Sequence, residues 1–260
     1  MPDTIKIYKE NATLVLELAR PKVFNCLSMQ VFAELRDGLT TAEKDKSIRA
    51  VLIRAEGKHF CTGAQLGEVK EKIADKAELD GFLALGHEVL CRFEASRLPV
   101  VGQVQGLCLA GGLELALACD VVIAGRSATF GDQHAQFGLV PGWGGSARLP
   151  RAVGMGRAMD LFLSVRWLDA ETAERWGLVN YVVDDSDLAA TSLEYCAKLA
   201  TRSGPGLAGM KQLAREGIDT SLDGALTLER LTAPDFLMSA NVAEGIAAFE
   251  GKRDPVFPEA

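Results

Sequence analysis

The 260-residue chain has few of the side chains that usually bind metals or form disulfides. Its three histidines, at positions 59, 87 and 134, do not have the spacing of a ligand set, so we expect no metal site. Six cysteines are scattered without a Cys-x-x-Cys pair. This pattern favours reduced, buried thiols over a disulfide framework.

Long apolar runs are also missing from the sequence. None approaches the roughly 20 residues that a bilayer-spanning helix needs, so we expect no membrane insertion. The segment Met1–Lys6 lacks the apolar core of a signal peptide, which predicts a cytoplasmic location. A net charge of −7 argues against nucleic-acid binding, and an anionic small molecule would need a local basic cluster.

Strand and helix patterns alternate over most of the chain and predict an α/β fold with a largely parallel, right-handed βα core. The patterns predict a hairpin over 5–18, later strands over 48–55, 100–104, 121–124 and 178–183, and helices over 28–41, 68–78, 81–97 and 113–119. Helical segments dominate after Arg151. We therefore predict a core carrying the functional site over 1–195 and a helical region over 196–260.

The run from Gly106 to Asp120 is the centre of this organisation. It reads Gly-Leu-Cys-Leu-Ala-Gly-Gly-Leu-Glu-Leu-Ala-Leu-Ala-Cys-Asp, with a strand pattern before it and a helix pattern at its end. Free backbone N–H groups and the positive end of the helix dipole meet at such a junction, which suits a developing negative charge. A second glycine junction, Gly63-Ala64, follows another strand. Together the two could bind a carbonyl oxygen, or the glycines could only permit tight turns.

Two side chains near these junctions could transfer protons. Glu114 lies among apolar residues at the start of the predicted helix, where a buried carboxylate requires a partner, a catalytic role or stabilisation by the helix dipole. His134 is a second acid/base candidate in the loop over 131–145, which also carries Asp132, Pro141 and Trp143. Asp132 is a competing carboxylate, and a loop histidine can also be an ordinary surface residue.

At these residues the chain resembles the crotonase, or enoyl-CoA hydratase/isomerase, superfamily. The resemblance runs over nearly the whole chain. Its motifs are Arg20–Leu27, similar to the N-terminal CoA loop; Phe60–Leu66 and Ala110–Leu115, similar to the two oxyanion-hole segments; Phe130–Gly145, which ends in Pro-Gly-x-Gly-Gly; and Glu244–Arg253, similar to the C-terminal helix.

The resemblance implies a crotonase (ClpP-like) fold of stacked ββα units, with C-terminal helices that form a homotrimer or a dimer of trimers. It implies that Ala64 and Gly111 donate the N–H groups of the oxyanion hole and that Glu114 is a catalytic glutamate. Lys22 would lie near the CoA nucleotide, and Phe249 and Lys252 could reach CoA bound to a neighbouring subunit. Coenzyme A would enter as part of an acyl-CoA substrate, with no prosthetic group.

One position departs from the family pattern. Hydratases of this family carry a second glutamate where this chain has His134. The leading prediction is an enoyl-CoA hydratase in which Glu114 orients water and His134 delivers a proton. An enoyl-CoA isomerase or a carbon–carbon bond hydrolase of the same superfamily is the alternative. A non-catalytic scaffold with a CoA pocket is disfavoured because the glycine pair and Glu114 are retained. We expect residues 65–90 to line the acyl pocket.

Overall fold

The computed structural model describes residues 4–258. Residues 1–3, which belong to the segment behind the predicted cytoplasmic location, and residues 259–260 lie outside the described residues. The strands are β1 (Ile5–Glu10), β2 (Thr13–Leu18), β3 (Ala50–Ala55), β4 (Val100–Val104), β5 (Leu107–Leu109), β6 (Val121–Gly125), β7 (Thr129–Gly131), β8 (Leu168–Asp169) and β9 (Tyr181–Val183).

Helices lie between many of these strands, and among the described residues only helices follow β9, the last of which ends at Glu250. They are α1 (Met29–Lys44), α2 (Leu66–Lys72), α3 (Lys76–Ala95), α4 (Gly111–Leu117), α5 (Gly145–Val153), α6 (Met155–Ser164), α7 (Ala170–Trp176), α8 (Leu188–Ala200), α9 (Gly204–Ile218), α10 (Leu222–Leu237) and α11 (Ala240–Glu250). No helix within residues 4–258 is long and apolar enough to cross a membrane.

A six-stranded sheet forms the centre of the fold, in the order β1-β2-β3-β4-β6-β9. β1 and β2 form the predicted antiparallel hairpin, and all later neighbours in the sheet are parallel. The predicted parallel core is therefore confirmed. A small second sheet, β5-β7-β8, was not predicted. Its strands are two or three residues long, too short for a periodic pattern to be recognised.

One predicted helix boundary is confirmed and others are wrong. The hydroxyl of Ser28 accepts a hydrogen bond from the Val31 N–H and caps α1, as predicted. The break between the predicted helices over 68–78 and 81–97 lies earlier in the chain than predicted. α2 ends at Lys72, and the carboxylate of Asp75 caps a new helix, α3, which begins at Lys76. The predicted strand over 178–183 is shortened to β9, because the N–H groups of Leu178 and Val179 donate to the Ala173 carbonyl of α7 instead of to a neighbouring strand.

Side chains on both faces of the large sheet are buried. Val51 and Ile53 of β3 belong to the main core with Phe32 of α1, whereas Leu52 points to the other face, where Cys196 of α8 packs. Successive residues of a strand point to opposite faces, so a sheet covered on both sides has continuous apolar strands. The proposed boundary between residues 195 and 196 falls within α8, and the division of the chain stays a prediction.

Candidate active site

The two glycine junctions lie side by side because the chain before Gly63 pairs with β5. The Cys61 N–H donates to the Leu107 carbonyl at 3.1 Å, and the Leu109 N–H donates back to the Cys61 carbonyl at 2.9 Å. As a result, a Cβ placed on Gly63 would lie 3.1 Å from the Gly111 nitrogen. The small second sheet thus brings Ala64 next to Gly111, across 47 positions of sequence.

The backbone N–H groups of both residues are free in the described part of the chain. Next to Ala64, the bridge to Leu27 uses only the Gly63 carbonyl and the Gln65 N–H, each in a 2.8 Å hydrogen bond. Gly111 is the first residue of α4, so its N–H has no intrahelical acceptor. Neither N–H donates to another group within residues 4–258. Ala110 has φ +49° and ψ −119°, a strained conformation that sets the direction of the next peptide.

Glu114 is 1% exposed and its carboxylate bonds to the start of another helix. Its Oε1 accepts hydrogen bonds from the Trp143 N–H at 2.8 Å and the Gly145 N–H at 2.7 Å, at the N-terminus of α5. Its Oε2 is buried without a hydrogen-bond partner among the described residues. One oxygen therefore anchors the carboxylate, and the other remains available to a ligand.

His134 faces that available oxygen. Its Nε2 lies 3.7 Å from the Glu114 Oε2. On the other side of the ring, its Nδ1 lies 3.0 Å from Oδ2 of Asp132, and its backbone N–H donates to Oδ1 of Asp132 at 3.2 Å. Asp132 is 2% exposed. The imidazole is therefore oriented by Asp132 and directed at Glu114.

The charges in this group favour a protonated histidine. Burial alone would lower the pKa of His134, but the hydrogen bond to Asp132 and the charges of Asp132 and Glu114 outweigh it, so the pKa is raised. Burial raises the pKa of Glu114, although the N–H groups of Gly145 and Trp143 and the charge of His134 oppose this. The arrangement thus places a proton acceptor and a proton donor opposite each other, at a distance where one water oxygen could reach both.

Sequence reasoning missed three parts of this group. The donors to Glu114, the N–H groups of Trp143 and Gly145, come from a helix start that was not predicted. The Gly-x-Gly-Gly run at 142–145 was the available signal, since such turns often precede a helix. Asp132 was considered only as a competing carboxylate, whereas the structure pairs it with His134. Their spacing of two residues was visible in the sequence.

The predicted CoA-binding residues are exposed. Lys22 follows Pro21 in a short 3-10 turn, Phe249 is 85% exposed near the end of α11, and Lys252 is exposed beyond it. Within residues 4–258, none of the three makes a hydrogen bond or ion pair with Glu114, His134, Ala64 or Gly111. Their roles stay predictions.

A sizeable cavity of about 880 Å³ lies among α3, α5 and α9, and Gly144 at the start of α5 is part of its lining. It is lined by charged side chains that are already paired: Arg148 and Arg215 with Glu94, and Lys211 with Asp120. Neither Glu114 nor His134 lines it. We place the candidate site at Glu114 and His134 because a carboxylate, an imidazole and unpaired N–H groups meet there. The size of a cavity does not by itself indicate a reaction.

Known proteins are similar to this chain over nearly its whole length. A family model described as enoyl-CoA hydratase/isomerase matches residues 8–260. The chain is 33% identical over 256 residues to the crotonyl-CoA hydratase of Syntrophomonas wolfei, covering 98% of both chains. It is 35% identical over 259 residues to the 1,2-epoxyphenylacetyl-CoA isomerase of Escherichia coli, covering 99% of both. A crystal structure of an enoyl-CoA hydratase from Polaromonas superposes with a TM-score of 0.94, at 32% identity and 98% and 99% coverage.

Proposed function

Because the chain belongs to the enoyl-CoA hydratase/isomerase family, we propose that it adds water across the double bond of an α,β-unsaturated CoA thioester. The family acts on CoA thioesters, and the chain is a hydratase-like enzyme with the crotonase fold. The alternative of a non-catalytic scaffold is therefore set aside. Among residues 4–258, the Glu114 Oε2 has no hydrogen-bond partner and faces the His134 Nε2, and the backbone N–H groups of Ala64 and Gly111 have no acceptor. This observation carries the specific proposal.

In this proposal the N–H groups of Ala64 and Gly111 bind the thioester oxygen. Attack at Cβ moves the π electrons towards that oxygen and forms an enolate. Donors that are already oriented stabilise such a charge without reorganising, and losing one typically costs about 3–4 kcal/mol of barrier. The positive end of the α4 dipole acts in the same direction.

Glu114 and His134 would divide the proton transfers. The Glu114 Oε2 accepts a proton from water while the water oxygen forms a bond to Cβ. Protonated His134 then delivers a proton from Nε2 to Cα as the enolate collapses. Transfer of the proton held on Glu114 back to His134, directly or through water, restores both groups. The raised pKa of His134 supports its charged form, and the bonds from Trp143 and Gly145 support the ionised form of Glu114.

Isomerisation is the second candidate, and a specific observation favours it. His134 stands where hydratases of the family have their second glutamate, and a relative with 35% identity is named an isomerase. A single base could remove a proton from one carbon and return it to another. Hydrolysis of a carbon–carbon bond would use the same enolate site, but with water attacking a carbonyl carbon.

Incubation with crotonyl-CoA tests the proposal. Hydration removes the conjugated double bond, so absorbance of the enoyl thioester is expected to fall and 3-hydroxybutyryl-CoA to appear by mass spectrometry. An isomerase would instead convert a 3-enoyl thioester into its conjugated isomer, raising that absorbance. Turnover of the 3-enoyl thioester with no hydration of any 2-enoyl thioester would contradict the hydratase proposal and support isomerisation.

We also propose that the C-terminal helices mediate self-association and that CoA lies against Lys22, Phe249 and Lys252. Large apolar side chains are exposed on α9, α10 and α11: Met210, Ile218, Leu222, Leu226, Leu231, Leu237, Ile246 and Phe249. Exposed apolar surface on this scale is typical of an interface. Sedimentation analysis is expected to show a trimer or a dimer of trimers, and a monomer would contradict the assignment. Lys252→Ala is expected to weaken CoA binding without changing that assembly.

A further inference from the structure

The indole of Trp143 is the bulkiest group in contact with the candidate oxyanion donor Gly111. It is 3% exposed and lies edge-on to Phe32 and Phe82, with ring centroids 4.7 and 5.3 Å away. A Cβ on Gly111 would lie 2.5 Å from the indole Cζ3, and a Cβ on Gly86 would lie 2.3 Å from Nε1. The ring therefore fills the space between the start of α4 and the side of α3.

This space is next to where an acyl group would continue beyond the reacting carbons. In the proposed function, the thioester oxygen is held by Ala64 and Gly111, and Cα and Cβ lie near Glu114 and His134. The backbone N–H of Trp143 donates to Glu114, and its side chain extends from that point to Gly111. Carbon atoms added beyond Cβ on this side would meet the indole.

Packing alone does not account for a tryptophan here. Its Nε1 is buried without a hydrogen-bond partner among the described residues. The same is true of the Oε2 of Glu114, whose other oxygen, Oε1, accepts the hydrogen bond from the Trp143 backbone N–H. Buried polar atoms normally have partners, so each of these two atoms is a polar group that a ligand or its water could complete. A phenylalanine would fill much of the same space and leave no unpaired N–H.

We infer that the Trp143 indole closes the inner end of the acyl pocket and limits the substrate to short acyl groups. The inference rests on the proposed function, because it uses the same position for the thioester. It goes further by assigning the length limit to one side chain. Gly86, opposite the indole on α3, makes room for it, since any side chain at that position would overlap the ring.

The test compares kcat/KM for 2-enoyl-CoA thioesters of four and eight carbons in the wild-type enzyme, Trp143→Phe and Trp143→Ala. The wild type is expected to prefer the four-carbon substrate. Trp143→Ala is expected to raise the eight-to-four-carbon ratio by about tenfold or more, because a pocket distinguishes chains by a factor of about ten or more for each methylene it excludes. Trp143→Phe is expected to lie between them.

A binding measurement makes the inference independent of turnover. Calorimetry with the saturated thioesters butyryl-CoA and octanoyl-CoA is expected to show the same shift in relative affinity. Trp167→Ala is a matched control, because Trp167 is 54% exposed and is not among the residues placed at the site. It is expected to leave both ratios unchanged.

Two kinds of failure are distinguishable. If no 2-enoyl thioester of any length is hydrated, the proposed function is wrong, and the binding ratios still test Trp143. If Trp143→Ala keeps the wild-type circular dichroism spectrum and neither ratio changes, the length limit lies elsewhere and the inference is wrong. Should Trp143→Ala fail to fold, Trp143→Leu is judged by the same two ratios.

Discussion

Two helices begin at the candidate site, and their N-termini are used in opposite ways. α4 follows Ala110 and α5 follows Gly144, two residues with positive φ, at +49° and +100°. At the start of α5, two backbone N–H groups donate to the carboxylate of Glu114, which projects from α4. At the start of α4, the N–H of Gly111 has no acceptor among residues 4–258.

The difference shows how similar local structures acquire different chemical roles. A helix start occupied by a protein carboxylate orients that carboxylate and favours its ionised form. A helix start left unoccupied keeps its donors for charge that appears only during the reaction. Glu114 joins the two, because its backbone belongs to the open helix start and its side chain occupies the other. Substitutions at the site therefore test whether these two roles are separable.

Replacing Glu114 with glutamine is expected to have the largest effect. The amide oxygen can still accept the hydrogen bonds from α5, but the group can no longer take a proton from water. We expect kcat for crotonyl-CoA hydration to fall by at least about 10²-fold, and by up to about 10⁴-fold, because general base catalysis is lost. Absorbance of the enoyl thioester measures the rate, and calorimetry with butyryl-CoA measures binding, which should be retained.

The matched control for this variant is Glu194→Gln, which removes an exposed carboxylate of α8. It is expected to keep the wild-type rate. A wild-type rate in Glu114→Gln would contradict the role of Glu114 in proton transfer. If Glu114→Gln lost affinity for butyryl-CoA as well as rate, the bonds between Glu114 and the start of α5 would serve substrate binding. The starts of α4 and α5 would then not have separate roles.

Replacing His134 tests the group that faces the free oxygen of Glu114. His134→Ala is expected to lower kcat by about 10²-fold, because the enolate loses its proton donor. His134→Glu is expected to keep or raise hydratase activity, since it restores a second carboxylic acid. His87→Ala, at an exposed position of α3, is the histidine control. Unchanged rates in both His134 variants would make this residue an ordinary loop histidine.

Asp132→Asn is expected to change the pH profile more than the maximal rate. Activity requires protonated His134, so it is lost as pH rises through the pKa of His134, which the structure places above the ordinary histidine value. The asparagine can still bond to the imidazole but no longer carries the charge that raises this pKa. The alkaline limb of kcat/KM should therefore move to lower pH.

The acid limb provides an internal control for Asp132→Asn. It reports ionisation of Glu114, whose pKa is raised chiefly by burial and to a smaller extent by the charge of Asp132. The acid limb is expected to move less than the alkaline limb. An equal loss of rate at every pH, with no movement of the alkaline limb, would show that Asp132 only supports the loop.

Local patterns were sufficient for much of the fold. The hairpin of β1 and β2 and the cap of α1 at Ser28 were predicted because each depends on residues close together in sequence. The parallel core was predicted because strand and helix patterns alternate along the chain. The second sheet was not predicted, since its strands are too short to show a period. It is nevertheless the element that places Ala64 beside Gly111. The sequence supplied both junctions, but their meeting depends on contacts that no local pattern encodes.

The candidate site, like the fold, was predictable only in part from the sequence. Glu114 and His134 were identifiable from residue type and from their surroundings in the sequence. Their distance of 3.7 Å, and the bonds from α5 to Glu114, depend on how two helix starts and a loop pack in three dimensions. A buried carboxylate needs partners wherever it lies, so the sequence could predict that Glu114 had partners without identifying them.

A third helix start, that of α7, lies outside the candidate site, and substitution of its capping residue is expected to have the smallest effect. The carboxylate of Asp169 accepts a hydrogen bond from the Thr172 N–H at 2.7 Å and caps α7. Asp169→Ala is expected to lower the free energy of unfolding by about 1 kcal/mol, measured by chemical denaturation, because the N–H loses its acceptor. Asp169→Asn, which keeps a capping oxygen, should lose less. Neither should change kcat, because no substrate charge forms at this helix. A lower kcat in Asp169→Ala with unchanged stability would show that helix starts outside the site also contribute to the reaction.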